Sequence, residues 1–123
     1  MDLTHFDQDG NTWMVDVSDK DITTRTAVAE GFIAINDAIY ERIEARTIKK
    51  GDVLSVAQLA AIMGAKQTSN LIPLCHPLAL TKVEVHCTLV DGESPACTDA
   101  THNRAVKVRA TVKTTGKTGV EME

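Results

Sequence analysis

The stretches LTKVEVHCTLV (residues 80–90) and NRAVKVRATVKT (residues 103–114) alternate between apolar and polar side chains. Such alternation predicts half-buried β-strands, because successive side chains of a strand point to opposite faces of the sheet. The inward-facing set of the second stretch is predicted to be Val106, Val108, Ala110 and Val112. The two strands follow one another along the chain, so we expect them to form an antiparallel pair across a polar loop at 91–102.

Residues 24–46 admit two interpretations. Apolar residues recur there near helical spacing at Val28, Phe32, Ile35, Ile39 and Ile43. Periodicity alone would therefore give one long helix. Gly31 weakens that helix by about 1 kcal/mol relative to alanine, and Asn36 is a good N-cap for a shorter helix. We expect a strand over 24–35 and a helix over 37–45, chiefly because of the resemblance described below.

A second helix is predicted to begin after Asp52, which has the side chain of an N-cap, and to end before Pro73. The apolar face of this helix is expected to comprise Val53, Val56, Leu59, Ala60 and Met63. Near the end of the sequence, Thr118 or Gly119 is expected to cap another helix that begins near Val120.

The composition, 43% hydrophobic and 24% charged, is typical of a soluble globular protein, and at this length we expect residues 1–123 to form a single domain. The net charge of −4 disfavours broad nucleic-acid binding, which depends on a basic surface that neutralises phosphates. No apolar run approaches the ~18 residues of a transmembrane helix, and the acidic N-terminus lacks a signal-type stretch. We therefore expect a cytoplasmic protein that binds neither nucleic acid nor membranes.

The three cysteines, Cys75, Cys87 and Cys97, show no CxxC spacing. Neither a disulfide framework nor a zinc knuckle is predicted, and His102 adds no recognised ligand spacing. We expect reduced thiols and no metal site.

Cys75-His76-Pro77 is the first candidate for chemistry. The proline holds the backbone of His76 extended, so its imidazole projects from a stiff segment and could carry protons near neutral pH. The alternative is a histidine that is simply hydrogen-bonded at a corner between a helix and a strand.

Lysines beside turns are the second candidates, in particular Lys50, Lys66 and Lys117. Each alone is more often just solvated, although backbone N–H groups near glycines can hold an anion. The TGKTG stretch at 115–119 fails the P-loop pattern, because the first glycine would fall at position 111, which is threonine. Glu121 and Glu123 either complement a helix dipole or accept paired N–H bonds from a guanine-like ligand.

Three long stretches resemble cyclic pyranopterin monophosphate synthase, the molybdenum cofactor biosynthesis protein C family. They are MVDVSDKDITTRTA (14–27), KKGDVLSVAQLAAIMGAKQTSNLIPLCHPLALTKVEV (49–85) and TGKTGVEME (115–123). The resemblance implies an α+β, ferredoxin-like fold with an antiparallel sheet packed with helices, and a homohexamer, a trimer of dimers, with active sites at subunit interfaces. It also implies a lyase that converts (8S)-3′,8-cyclo-7,8-dihydroguanosine 5′-triphosphate to cyclic pyranopterin monophosphate and diphosphate, without a cofactor.

The resemblance also implies roles for individual residues. Lys50 and His76 match positions that would move protons, so they are the predicted catalytic residues. The predicted substrate-binding residues are Arg25, Lys66, Leu74, Cys75, His76, Met122 and Glu123. The cationic residues among them would hold the triphosphate, and Glu123 would orient the base.

The family continues past the GVEME block with a helix that carries its principal catalytic aspartate and lysine, and then with a final strand. We therefore expect a C-terminally truncated chain whose last helix and strand are missing and whose turnover is impaired. Two alternatives stay open: a non-catalytic remnant that binds a nucleotide or pterin, and a structural subunit that pairs with a chain supplying the missing segment.

Overall fold

The computed structural model describes residues 10–46, 52–92 and 103–123. In chain order, the elements are β1 (Thr23–Ile35), α1 (Asp37–Glu44), α2 (Val53–Leu71), β2 (Leu80–Asp91) and β3 (Arg104–Gly116). The chain is thus α+β, and the expected antiparallel sheet packed with helices is confirmed.

Within the described residues, the strands form one antiparallel sheet in the order β1-β3-β2. The central strand β3 pairs on one side with β1, where Ala27 lies opposite Val112, and on the other with β2, where Val83 lies opposite the same Val112. The register shifts between Leu80 and Lys82, at the start of β2. The predicted antiparallel pairing of the strands at 80–90 and 103–114 is confirmed.

Both helices begin where the sequence predicts. The Asn36 side chain accepts a hydrogen bond from the Ile39 N–H at 2.8 Å, which caps α1. The Asp52 carboxylate accepts from the N–H groups of Leu54 and Ser55, which caps α2. Each cap satisfies backbone donors that have no partner inside the helix. Since β1 ends at Ile35 and α1 begins at Asp37, the strand-then-helix interpretation of residues 24–45 is confirmed.

The core lies between the sheet and the two helices. Its most buried members are Ile43, Val85, Cys87 and Val106. Val112 is also buried, and Val108 and Ala110 are partly buried, so the predicted inward-facing set of β3 is confirmed.

The predicted apolar face of α2 is wrong in most of its members. Val53 packs against the core, but Val56, Leu59 and Met63 are 57%, 59% and 59% exposed. The face toward the sheet carries small side chains together with two large ones instead: Leu54, Ala57, Ala61, Ile62, Ala65 and Thr68. Small side chains let the helix approach the sheet closely, and the other large apolar side chains are left on the opposite side.

The helix expected near Val120 is also wrong. Residues 120–123 form a single turn, in which the Glu123 N–H donates to the Val120 carbonyl at 3.2 Å. The Val120 side chain is 2% exposed and anchors this turn by burial.

Candidate active site

His76 lies in the extended segment that joins α2 to β2. The Cys75 N–H donates to the Ile72 carbonyl at 3.1 Å, which turns the chain out of the helix just before His76. The His76 Nε2 atom lies 2.7 Å from the carbonyl oxygen of Val15. Because a carbonyl can only accept, Nε2 carries the proton in this contact, and Nδ1 of the neutral ring keeps its lone pair. The ring is thus oriented by the N-terminal segment.

An open cavity of about 380 Å³ adjoins His76 at the end of the sheet. Its walls are the segment that follows His76, the end of β3 and the turn after β3. The residues that line it are Val17, His76, Pro77, Leu78, Ala79, Thr114, Thr115, Gly116, Lys117 and Thr118. Three threonines and Lys117 share this lining with His76, so the cavity offers polar groups to a ligand.

Next to His76, the Cys75 thiol contacts the Glu123 carboxylate. The Cys75 side chain is 6% exposed, and its Sγ atom lies 3.2 Å from Glu123 Oε1. Burial, followed by the hydrogen bond and negative charge of Glu123, raises the pKa of Cys75 to about 11. The sulfur therefore remains a protonated thiol near neutral pH, and it acts as a hydrogen-bond donor rather than a nucleophile.

Two buried polar atoms at this end of the protein lack a hydrogen-bond partner among the described residues: Arg25 Nε and Glu123 Oε2. Arg25 lies opposite Thr114 in the β1–β3 register, and Thr114 lines the cavity. The Thr114 hydroxyl in turn donates to the Ala79 carbonyl at 2.6 Å, which ties β3 to the segment after His76. Leaving a buried polar group unpaired costs about 1–3 kcal/mol, so both atoms are candidates for hydrogen bonds to groups outside the described residues.

The N-terminal segment forms another side of the cavity. Val17 lines it, and the Lys117 Nζ atom lies 3.0 Å from the Ser18 carbonyl oxygen. The sequence analysis named Lys117 as a candidate lysine but gave it no place in the predicted site, and it did not name Val17 or Thr114. The one available signal was the placement of Lys117 between two glycines.

The other predicted site residues lie as follows. Leu74 is half-buried beside Cys75, and Met122 is 47% exposed beside Glu123. Lys66 is exposed on α2 and does not line the cavity. Lys50 lies outside the described residues. The structure therefore brings together His76, Cys75 and Glu123, places Arg25 in register with a cavity residue, and leaves Lys66 apart within one chain.

The described parts of the chain contain no group of three or more His, Cys, Asp or Glu side chains arranged to hold a metal ion. None of the helices in those parts is long and apolar enough to cross a membrane.

Comparison with known proteins gives one consistent family. Residues 14–123 match the MoaC family. The chain is 50% identical over 122 residues to a protein named cyclic pyranopterin monophosphate synthase from Staphylococcus aureus strain bovine RF122 / ET3-1, an alignment that covers 99% of this chain and 70% of that one. A protein of the same name from strain JH9 is 49% identical, with the same coverage of both chains. With most of its length matched at this level, the chain belongs to the MoaC family.

Proposed function

We propose that this protein is a lyase of molybdenum cofactor biosynthesis. It converts the cyclised guanosine triphosphate derivative to cyclic pyranopterin monophosphate and releases diphosphate. The observation that carries the proposal is the 50% identity, over 99% of the chain, to relatives named for this synthase. Its physical support is the contact between Cys75 and Glu123 directly beside His76, which lines the cavity.

The anionic part of the substrate is held by cations. Arg25 offers its unpaired Nε, and a guanidinium forms strong, geometrically defined bonds to phosphate oxygens. Lys50 and Lys66 are proposed to contact the same phosphates. Positive charge there stabilises the negative charge that develops as diphosphate leaves.

Proton transfer is assigned to His76 and Lys50. With Nε2–H bonded to Val15, the free Nδ1 of His76 is the atom able to take a proton from the substrate. A lysine held near phosphates can return a proton when a substrate atom becomes basic. Neither step requires a redox cofactor, because the conversion is an internal rearrangement.

Recognition of the purine-derived base is assigned to Glu123. One oxygen, Oε1, accepts from the Cys75 thiol, which fixes the plane of the carboxylate. The other oxygen, Oε2, is unpaired within the described chain and can accept an N–H from the base. Leu74 and Met122 flank this pair and are proposed to contact the ligand.

The working assembly is proposed to be a cytoplasmic homohexamer, a trimer of dimers. Its support is the exposed apolar stripe on α2, formed by Val56, Leu59 and Met63. Exposed apolar patches of this kind mark protein interfaces. Lys66 follows Met63 by one helical turn, so a neighbouring subunit packed on the stripe could receive Lys66 in its own cavity.

A direct conversion assay tests the proposal. The full-length protein is incubated with the cyclised triphosphate, and product and diphosphate are quantified by mass spectrometry and a coupled phosphate assay. Equal amounts of cyclic monophosphate and diphosphate are expected. Binding by calorimetry without any conversion would favour a nucleotide- or pterin-binding protein instead, and neither binding nor conversion would favour a structural subunit.

A further inference from the structure

The segment Val15–Ser18 is hydrogen-bonded at both ends by side chains that come from different parts of the cavity lining. At one end, His76 Nε2 donates to the Val15 carbonyl at 2.7 Å, and at the other, Lys117 Nζ donates to the Ser18 carbonyl at 3.0 Å. His76 precedes β2, whereas Lys117 follows β3. The segment therefore bridges two elements that are far apart in sequence.

Local turns give the segment its shape. The Asp16 carboxylate accepts from the Ser18 N–H at 2.9 Å, and the Lys20 N–H donates to the Val17 carbonyl at 3.1 Å. The first contact is an Asx-turn and the second closes a β-turn. Together these bonds leave the Ser18 carbonyl free for Lys117, while the Val17 side chain lines the cavity.

The contacts of Lys117 indicate that it holds the Val15–Ser18 segment in place rather than binding an anion. Its ammonium group bonds a backbone carbonyl, and its charge also helps to hold the pKa of the Asp16 carboxyl low, after the larger effect of the Ser18 hydrogen bonds. A lysine that already donates to a carbonyl and interacts with a carboxylate attracts a phosphate less strongly, because the carboxylate offsets part of its positive charge. Lys117 is thus placed to retain the segment.

We propose that Val15–Ser18 is a strap across one side of the cavity and that Lys117 is a positioning residue, which keeps the strap in place so that Val15 orients His76. The existence of the strap is independent of the proposed function, whereas its effect on turnover rests on it. His76 then presents Nδ1 to the substrate because Nε2–H is held by the strap.

Two readouts test the strap without any activity measurement. Trp13, the only tryptophan of the chain, lies two residues before Val15 and reports the mobility of the strap by time-resolved fluorescence anisotropy. The Nε2–H proton of His76 gives a ¹⁵N-correlated NMR signal while it is hydrogen-bonded, and a His76→Gln sample assigns that signal. Lys117→Met removes the ammonium but keeps an unbranched side chain, and Lys117→Arg restores a donor.

Lys113→Met is the matched control, because Lys113 lies on β3 four positions before Lys117 and its side chain alternates with the core-facing set. In Lys117→Met we expect greater Trp13 mobility and loss of the His76 N–H signal, with both restored by arginine and neither changed in the control. If Lys117→Met shows wild-type Trp13 mobility and an intact His76 N–H signal, the proposal that Lys117 holds the strap is refuted.

Turnover then separates positioning from binding. In Lys117→Met, kcat is expected to fall by roughly ten- to a hundred-fold while KM stays near the wild-type value. A raised KM with unchanged kcat would make Lys117 a substrate-binding residue and refute the positioning role. If the full-length wild-type protein shows no turnover, the proposed function fails, and the fluorescence and NMR results still decide whether the strap exists.

Discussion

The Cys75 sulfur lies 3.2 Å from Glu123 Oε1, although 48 positions separate the two residues in sequence. The buried thiol donates to the carboxylate, whose second oxygen has no partner in the described parts of the chain. Cys87 is equally buried, but it packs among Val85, Val106 and Ile43. The two cysteines therefore have different physical roles, one polar and one apolar.

Serine substitutions separate these roles. Cys75→Ser keeps a donor for Glu123, so its free energy of unfolding is expected to stay close to the wild-type value. Cys87→Ser buries a hydroxyl in an apolar cluster and is expected to lose about 1–3 kcal/mol. Urea unfolding measures both. Equal losses in the two variants, or a larger loss at Cys75, would contradict the assigned contact.

Alkaline pH should destabilise the protein through Cys75. Its pKa is raised from 9.0 to about 11 in the folded protein, so folding favours the protonated thiol. The stabilisation is complete below about pH 9 and is lost as the pH rises toward about 11, because the unfolded chain releases the proton first. Thermal melts across this range are expected to show a steeper loss for the wild type than for Cys75→Ser. Parallel curves would refute the contribution of this thiol.

Arg25→Met should weaken ligand binding more than it weakens folding. The Arg25 Nε is buried without a partner in the described chain, so its removal also removes an unfavourable desolvation. We expect the Kd for the cyclised triphosphate to rise by at least about ten-fold, with little change in urea stability. Arg109→Met is the control, since Arg109 is exposed and pairs with Glu30 at 2.9 Å. Unchanged affinity in Arg25→Met would remove this residue from the site.

Leu59→Lys should disrupt the assembly. Leu59 is 59% exposed in the α2 stripe, so a lysine there would introduce a charge into the proposed subunit interface. Native mass spectrometry is expected to show smaller species for this variant than for the wild type, and no such change for Glu41→Lys, an exposed position on the other helix, α1. A hexamer that persists in Leu59→Lys would place the subunit interface elsewhere.

Alternation predicted β2 and β3 well because each buries one face, whereas β1 has no buried residue and was expected chiefly from the family resemblance. Val106 and Val112 alternate with charged residues, and only one register places both inside. The helix α2 was harder, since it has apolar residues on two sides. The larger side chains, such as Leu59, suggested the core face, but the sheet packs against the alanine-bearing side that includes Ala65. Composition does not reveal which of two apolar faces a helix turns toward its own sheet.

The candidate site was predicted in part. Cys75, His76 and Glu123 were recognised from two motifs that the structure joins, yet Lys117 was named only as one of several candidate lysines and was given no role. Its role depends on the distance to Ser18, which lies 99 positions away in sequence. Contacts of that range follow from how the strands pair, and no local pattern encodes them.

The most direct test of a catalytic cavity at His76 is kcat for His76→Gln, measured beside His86→Gln. His86 is the matched control because it is exposed on β2 and contacts Glu84, away from the cavity. We predict that His76→Gln lowers kcat by about 10²–10⁴-fold while His86→Gln retains the wild-type rate. Equal rates in His76→Gln and the wild type would contradict the assignment of proton transfer to this cavity.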